Sequence, residues 1–149
     1  MRPCPYTIDS VMIHRPPMLL LDEVIEYNDN EIVAGATIRH DSTFITPHGV
    51  PGHAAIEYMA QACGAYAGVI ALEGGLPVKM GFLIGTRLCK VRVPWFRLGD
   101  KLSISAAIVL HDEQLAAFDC RIEIDGRVVA DAQLKVYQPD GDFLQANER

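Results

Sequence analysis

Between Phe44 and Tyr66 the chain reads FITPHGVPGHAAIEYMAQACGAY, and this stretch holds the residues best suited to chemistry. Glu57 and Gln61 stand four apart, so a helix places them on one face. A carboxylate among Ala, Ile and Met is costly to bury unless it is paired, protonated or hydrogen-bonded. Glu57 therefore reads either as a functional acid or as a partly solvated helix-start charge favoured by the helix dipole. Gln61 is placed to hold that carboxylate or a substrate group, or to make a plain structural bond. His53, four residues before Glu57, can share its face or merely cap the helix. His48 lies in the preceding loop, where a general base can be presented to a ligand or a side chain can simply be exposed. Gly52 offers a backbone N–H at a helix N-terminus, a donor suited to a carbonyl oxygen that gains negative charge, or else serves turn geometry.

The remaining sequence must position these groups. Residues 7–12 suit a short helical turn, and Met18 to Tyr27 reads as a strand after Pro16 and Pro17. His14, just ahead of it, is expected to anchor the N-terminal loop. Asn28-Asp29-Asn30 signals a turn into a second strand, Glu31 to Arg39. A helix follows from His53 to Leu72, apolar nearly all round and therefore buried, and Gly74-Gly75-Leu76-Pro77 stops it. Four strands complete the order: Met80 to Val93, Lys101 to His111, Gln114 to Ile124 and Arg127 to Tyr137, the last two joined at Asp125-Gly126. Antiparallel strands with one covering helix make an α+β fold. With no linker or repeat, residues 1–149 are expected to form a single domain, with 139–149 a polar flexible tail.

A net charge of −6 disfavours nucleic-acid binding, which needs a basic face. Arg87, Lys90, Arg92 and Arg97 form a local basic cluster, either a solvated strand edge or a docking patch for an acidic partner. The four cysteines show no metal-ligand spacing, so no metal site is expected. Cys63, Cys89 and Cys120 lie in apolar segments as reduced, buried thiols. No run approaches a membrane span in length, and MRPCPYTIDS lacks a signal-type apolar core, so a cytoplasmic chain is expected.

Three stretches resemble the hot-dog-fold 3-hydroxyacyl-[acyl-carrier-protein] dehydratases, and most nearly the shortened dehydratase-like proteins of aryl-polyene pathways. They are HRPPMLLLDEV, PGHAAIEYMAQACG and GFLIGTRLCKVRVPWFRLGDKL, and the likeness spans roughly residues 8 to 138. The resemblance implies a hot-dog sheet wrapped around the helix, with two subunits, identical or related, pairing into one continuous sheet. It implies removal of water from a 3-hydroxyacyl thioester to give a trans-2-enoyl thioester, on an acyl carrier protein that Arg87, Lys90 and Arg92 would meet, with no cofactor. Glu57 matches the family's acid, Gln61 its glutamine and Gly52 its backbone donor. The catalytic histidine of one subunit would face the acid of the other. The family's histidine position, fourteen residues before the acid, holds Thr43 here. Matching from the left instead aligns His48 with that histidine across a shorter loop, and His53 is its rival. Thioester hydrolysis by a carboxylate on the same helix, and a non-catalytic acyl-binding or partner subunit, are the alternative functions.

Overall fold

A computed structural model describes residues 1–139; the tail expected beyond them lies outside the described residues. Nine strands and two helices follow in chain order: β1 (Arg2–Pro3), α1 (Ile8–Val11), β2 (Glu23–Tyr27), β3 (Glu31–Thr37), β4 (Val50–Pro51), α2 (Ala55–Glu73), β5 (Phe82–Val91), β6 (Trp95–Phe96), β7 (Lys101–Asp112), β8 (Leu115–Ile124) and β9 (Arg127–Tyr137). One 3₁₀ turn, Gly52–Ala54, leads into α2.

Seven strands make one antiparallel sheet in the order β1-β2-β3-β7-β8-β9-β5. The period-two alternation of Leu102, Ile104 and Ala106 buries one side chain in two against the helix. The β8–β9 hairpin turns at Asp125 and Gly126, both with positive φ (52° and 78°), as an Asp-Gly turn requires. Helix α2 packs against β3, β7, β8 and β9, and most of its length is buried: Tyr58, Met59, Ala62, Cys63, Tyr66 and Val69 lie in the core. This is the hot-dog arrangement. Burial pushes the phenols of Tyr58 and Tyr66 up to about 12, so both stay neutral at ordinary pH.

Contrary to the expectation from sequence, Gly52–Glu73 is long and apolar enough to cross a membrane. Its apolar surface is instead covered by the sheet. The open part of the helix is a stripe of small residues, Ala60 and Gly64, beneath Glu57. On the opposite end of the helix Gly68 lies against α1, where an added Cβ would collide with the Val11 carbonyl oxygen. Replacing Gly68 by Ala is expected to lower stability by about 2 kcal/mol through overpacking, read as a shifted urea midpoint with an unchanged slope.

The expected strands from Met18, Glu31 and Met80 are shorter than the pattern suggested, running over Glu23–Tyr27, Glu31–Thr37 and Phe82–Val91. Met18 to Leu21 carries no ladder, because its backbone is spent elsewhere: Leu19 N–H donates to Arg15 O, and Gln61 takes Met18 O and Leu20 N–H. In β5 the alternation breaks at a bulge between Arg87 and Lys90, where Leu88 has φ 53° and is 74% exposed. Strand β5 is the end of the sheet, so Cys89 is exposed rather than buried. Cys63 and Cys120 are buried side by side with sulfurs 3.5 Å apart. Burial raises the Cys63 thiol well above its ordinary value.

Candidate active site

The sheet leaves α2 uncovered along one line, and a cavity of about 130 Å³ opens there. Glu57, Ala60, Gln61 and Gly64 form its helical side, spaced three and four residues apart as one helix face requires. Met12, Ile13 and His14 close it from the N-terminal segment, and Val78, Met80, Leu83 and Val136 from the sheet side. The lining is therefore apolar apart from Glu57, Gln61, His14 and Lys79, which is the composition of a small-molecule pocket with few polar groups.

Gln61 is 1% exposed and fully engaged. Its Oε1 accepts the Leu20 N–H at 2.8 Å, and its Nε2 donates to the Met18 carbonyl at 2.8 Å and to Glu57 Oε1 at 3.3 Å. In this structure Gln61 holds both the carboxylate and the loop, and both hydrogens of its amide nitrogen are engaged. Glu57 is half-buried in the first turn of α2, where the dipole favours its negative charge.

Gly52 does not offer a spare donor. Its N–H is already given to the Pro94 carbonyl at 2.8 Å, and a Cβ there would collide with Val93 O. The pairing of β4 with β6 draws the two segments together at Val50–Phe96 and Pro51–Trp95, and only glycine permits that approach one residue later. The same pairing sets the ring of His48 against Trp95, centroids 5.2 Å apart. His48 lines an open groove with His40, Ile45, Thr46 and Arg97, distinct from the cavity that Glu57 lines. His53 is exposed on the 3₁₀ turn and makes no hydrogen bond to Glu57, although they are four apart in sequence, because the 3₁₀ turn rotates it off the α-helical stripe. Thr43, at the position where the family carries its histidine, donates from Oγ1 to the Pro17 carbonyl.

Of the basic cluster, Arg92 pairs with Asp131 at 2.6 Å, while Arg87 and Lys90 flank the β5 bulge in exposed positions. The residue that sequence reading placed as a mere anchor is His14, which instead lines the Glu57 cavity. Its position next to Arg15 and two prolines gave no sign of this, since the contact is between segments more than forty residues apart in sequence. Among the described residues no cluster of three or more potential metal ligands is present.

This site sits in a chain whose residues 6–148 match the profile of the ApeP-like proteins, described as ApeP dehydratase. The chain belongs to the ApeP-like dehydratase family. It is 31% identical over 136 residues to a FabZ 3-hydroxyacyl-[acyl-carrier-protein] dehydratase of Streptococcus pyogenes, covering 85% of this chain and 92% of that one. A FabZ of Acinetobacter baumannii is 26% identical over 135 residues, covering 87% and 92%. Among solved structures, a chain of the dehydratase heterocomplex ApeI:P from Xenorhabdus doucetiae superposes with a TM-score of 0.87 at 32% identity, covering 98% of this dehydratase and all of that chain. A hypothetical thioesterase with coenzyme A from Streptococcus pneumoniae shares the fold alone, with a TM-score of 0.61 at 17% identity over 80% of this chain and 86% of that one.

Proposed function

We propose that this dehydratase removes water from a 3-hydroxyacyl thioester carried by an acyl carrier protein, giving the trans-2-enoyl thioester, and that it works paired with a second hot-dog subunit. The observation that carries the reaction is a carboxylate fixed by a buried glutamine at the polar end of an apolar cavity. The acyl chain would lie over Ala60 and Gly64, where a side chain would otherwise fill the space. Glu57 would hydrogen-bond the 3-hydroxyl and hold it for departure. With the Gly52 N–H engaged, the positive end of α2 would favour enolate charge.

Pairing is supported by β5. It has one bonded edge, to β9, and its exposed side chains include Phe82, Leu83, Ile84, Leu88 and Val91. An open edge this apolar is an aggregation hazard unless a partner covers it. The solved relative is a heterocomplex, which favours a related rather than an identical partner. Arg87 and Lys90 on the same strand, with Arg92 beside them, would flank that junction and draw an acidic carrier by charge complementarity. If β5 is the junction, Cys89 will react with maleimide at least about tenfold more slowly in the assembled protein than after Ile84→Lys has broken the assembly. Equal rates in the two would place the junction elsewhere.

The test of the reaction is mass spectrometry of a 3-hydroxyacyl-carrier thioester incubated with the assembled protein. Loss of one water without release of free thiol is the expected result. Thiol release would instead identify a thioesterase, and unchanged substrate would leave a binding subunit.

A further inference from the structure

The cavity that Glu57 lines has a closed far end, and this chain builds that end from its own residues. We propose that Met12, set against Gly64, is the stop that limits the acyl chain this dehydratase accepts, at a tail of about six carbons beyond C3. The inference rests on the dehydratase reading above and names the substrate class within it.

The helix face gives the direction. Glu57, Ala60, Gln61 and Gly64 line the cavity, whereas Ala67 and Gly68, the next positions on that face, do not. At Gly68 the backbone leaving α1 occupies the space: a Cβ there would lie 2.0 Å from the Val11 carbonyl oxygen. One turn earlier the groove is open. A Cβ on Gly64 would meet the Met12 Cε at 3.9 Å, an ordinary contact, with no other atom of a neighbouring segment within 4 Å among the described residues. Met12 lines the same cavity, so its thioether end faces Gly64 across the space where a chain would finish.

Two magnitudes set the length. The helix rises roughly 10 Å from Glu57 to Gly64, which bounds the run from the carboxylate to the stop. The cavity holds about 130 Å³. An apolar cavity of about 150 Å³ takes one benzene, so the room here suits about six carbons. With the 3-hydroxyl held at Glu57, those carbons are C4 onward.

The stop is anchored. Met12 is 3% exposed, and its carbonyl accepts from Arg15 Nη1 at 2.7 Å. Val11 beside it is fully buried. With the backbone held, adjustment is left to the thioether end. Shortening the side chain at Met12 therefore lengthens the pocket, and bulk at Gly64 shortens it. Met12, Val11, Gly64 and Gly68 all belong to this chain, so the limit does not depend on which subunit pairs with it.

Two measurements on the assembled protein test this. The first compares kcat/KM for 3-hydroxybutanoyl, 3-hydroxyoctanoyl and 3-hydroxydodecanoyl carrier thioesters. The parent is expected to favour octanoyl over dodecanoyl at least about tenfold, the discrimination that a few methylenes provide in an apolar pocket. Met12→Ala should raise the dodecanoyl-to-octanoyl ratio at least about tenfold, and Gly64→Leu should lower the octanoyl-to-butanoyl ratio by as much. Shifts in opposite directions separate a stop from damage to the fold, which lowers all substrates alike. Met12→Val serves in place of Met12→Ala if the latter loses cooperative unfolding. A parent that takes dodecanoyl as readily as octanoyl overturns the proposal, as does a parent-like ratio in either variant. The second measurement is calorimetric binding of unreactive hydroxyacyl pantetheine amides of the same three lengths, whose Kd ratios are expected to shift in the same two directions. A parent that dehydrates none of the thioesters defeats the reaction reading instead, and the binding ratios then decide the role of Met12: shifted ratios uphold it and unshifted ratios overturn it.

Discussion

Glu57→Gln is expected to reduce dehydration at least about 100-fold while leaving the unfolding temperature within a few degrees of the parent. The substitution keeps the shape of the side chain and retains an oxygen that can accept from Gln61 Nε2, the bond that Glu57 Oε1 accepts at 3.3 Å. What it removes is the negative charge and the capacity to exchange a proton. Glu57 sits in the first turn of α2, so the loss of a favourable dipole interaction is worth about 0.3–1 kcal/mol, too little to unfold the domain. Rate and stability thus separate, and a combined measurement of turnover and thermal unfolding reads both. Undiminished turnover would mean that the carboxylate is only a helix-start charge, the plainer of the two roles its sequence position allows. A parallel fall in turnover and unfolding temperature would mean that Glu57 acts through packing. Glu57→Ala is the less informative variant, because it also enlarges the cavity and frees the Gln61 amide from one of its three bonds.

The sequence carried most of the frame because its strongest signals are local. The nearly all-round apolar run of α2, the alternation along β7 and the Asp125-Gly126 turn each depend on neighbours in the chain. Glu57 and Gln61 were legible as a pair for the same reason, since four residues of helix join them. The site failed to be legible wherever its geometry is set by contacts between distant segments. Gln61 reaches 41 residues back to Leu20, which is why the expected strand from Met18 is shortened and why His14 arrives at the cavity. Gly52 looked free because its acceptor, Pro94, is brought in by the two-residue β4–β6 pairing, a contact too short to leave a period in the sequence. His48 belongs to that same pairing through Trp95, so its distance from Glu57 within one chain follows from it. Cys89 broke the expectation of burial since a strand at the sheet edge has an apolar pattern without a second layer or neighbour to cover it.

Gln61→Leu should be the most damaging single change to the site's architecture. Leucine fills nearly the same space on α2, so the effect isolates the three hydrogen bonds. Two of their partners are backbone groups, the Leu20 N–H and the Met18 carbonyl, and Leu20 is itself buried. Leaving a buried polar group unpaired costs about 1–3 kcal/mol each, so a loss of about 3 kcal/mol is expected. For a domain of this size that corresponds to roughly 10 °C in unfolding temperature. The local signature is sharper than the global one. Amide exchange at Leu20 should accelerate more than exchange along β7 or β8, because the segment from Met12 to Leu20 loses its tie to the helix while the sheet keeps its ladder. Turnover should fall with it, since the cavity residues of that segment lose their fixed position over Glu57. Gln61→Glu tests the same bonds from the other side. When ionised, the introduced carboxylate can still accept from Leu20 but cannot donate to Met18 or Glu57, and it sets a second negative charge against the first, which disfavours ionisation of both. Stability of the Gln61→Glu protein should therefore recover as pH falls through the raised pKa of the introduced carboxyl, above the ordinary carboxylate range, where it takes up a proton and regains a donor, whereas Gln61→Leu should show no such recovery. A Gln61→Leu protein as stable as the parent, with parent-like exchange at Leu20, would show that the segment is held by its own packing and that the glutamine is not the fastener of the site.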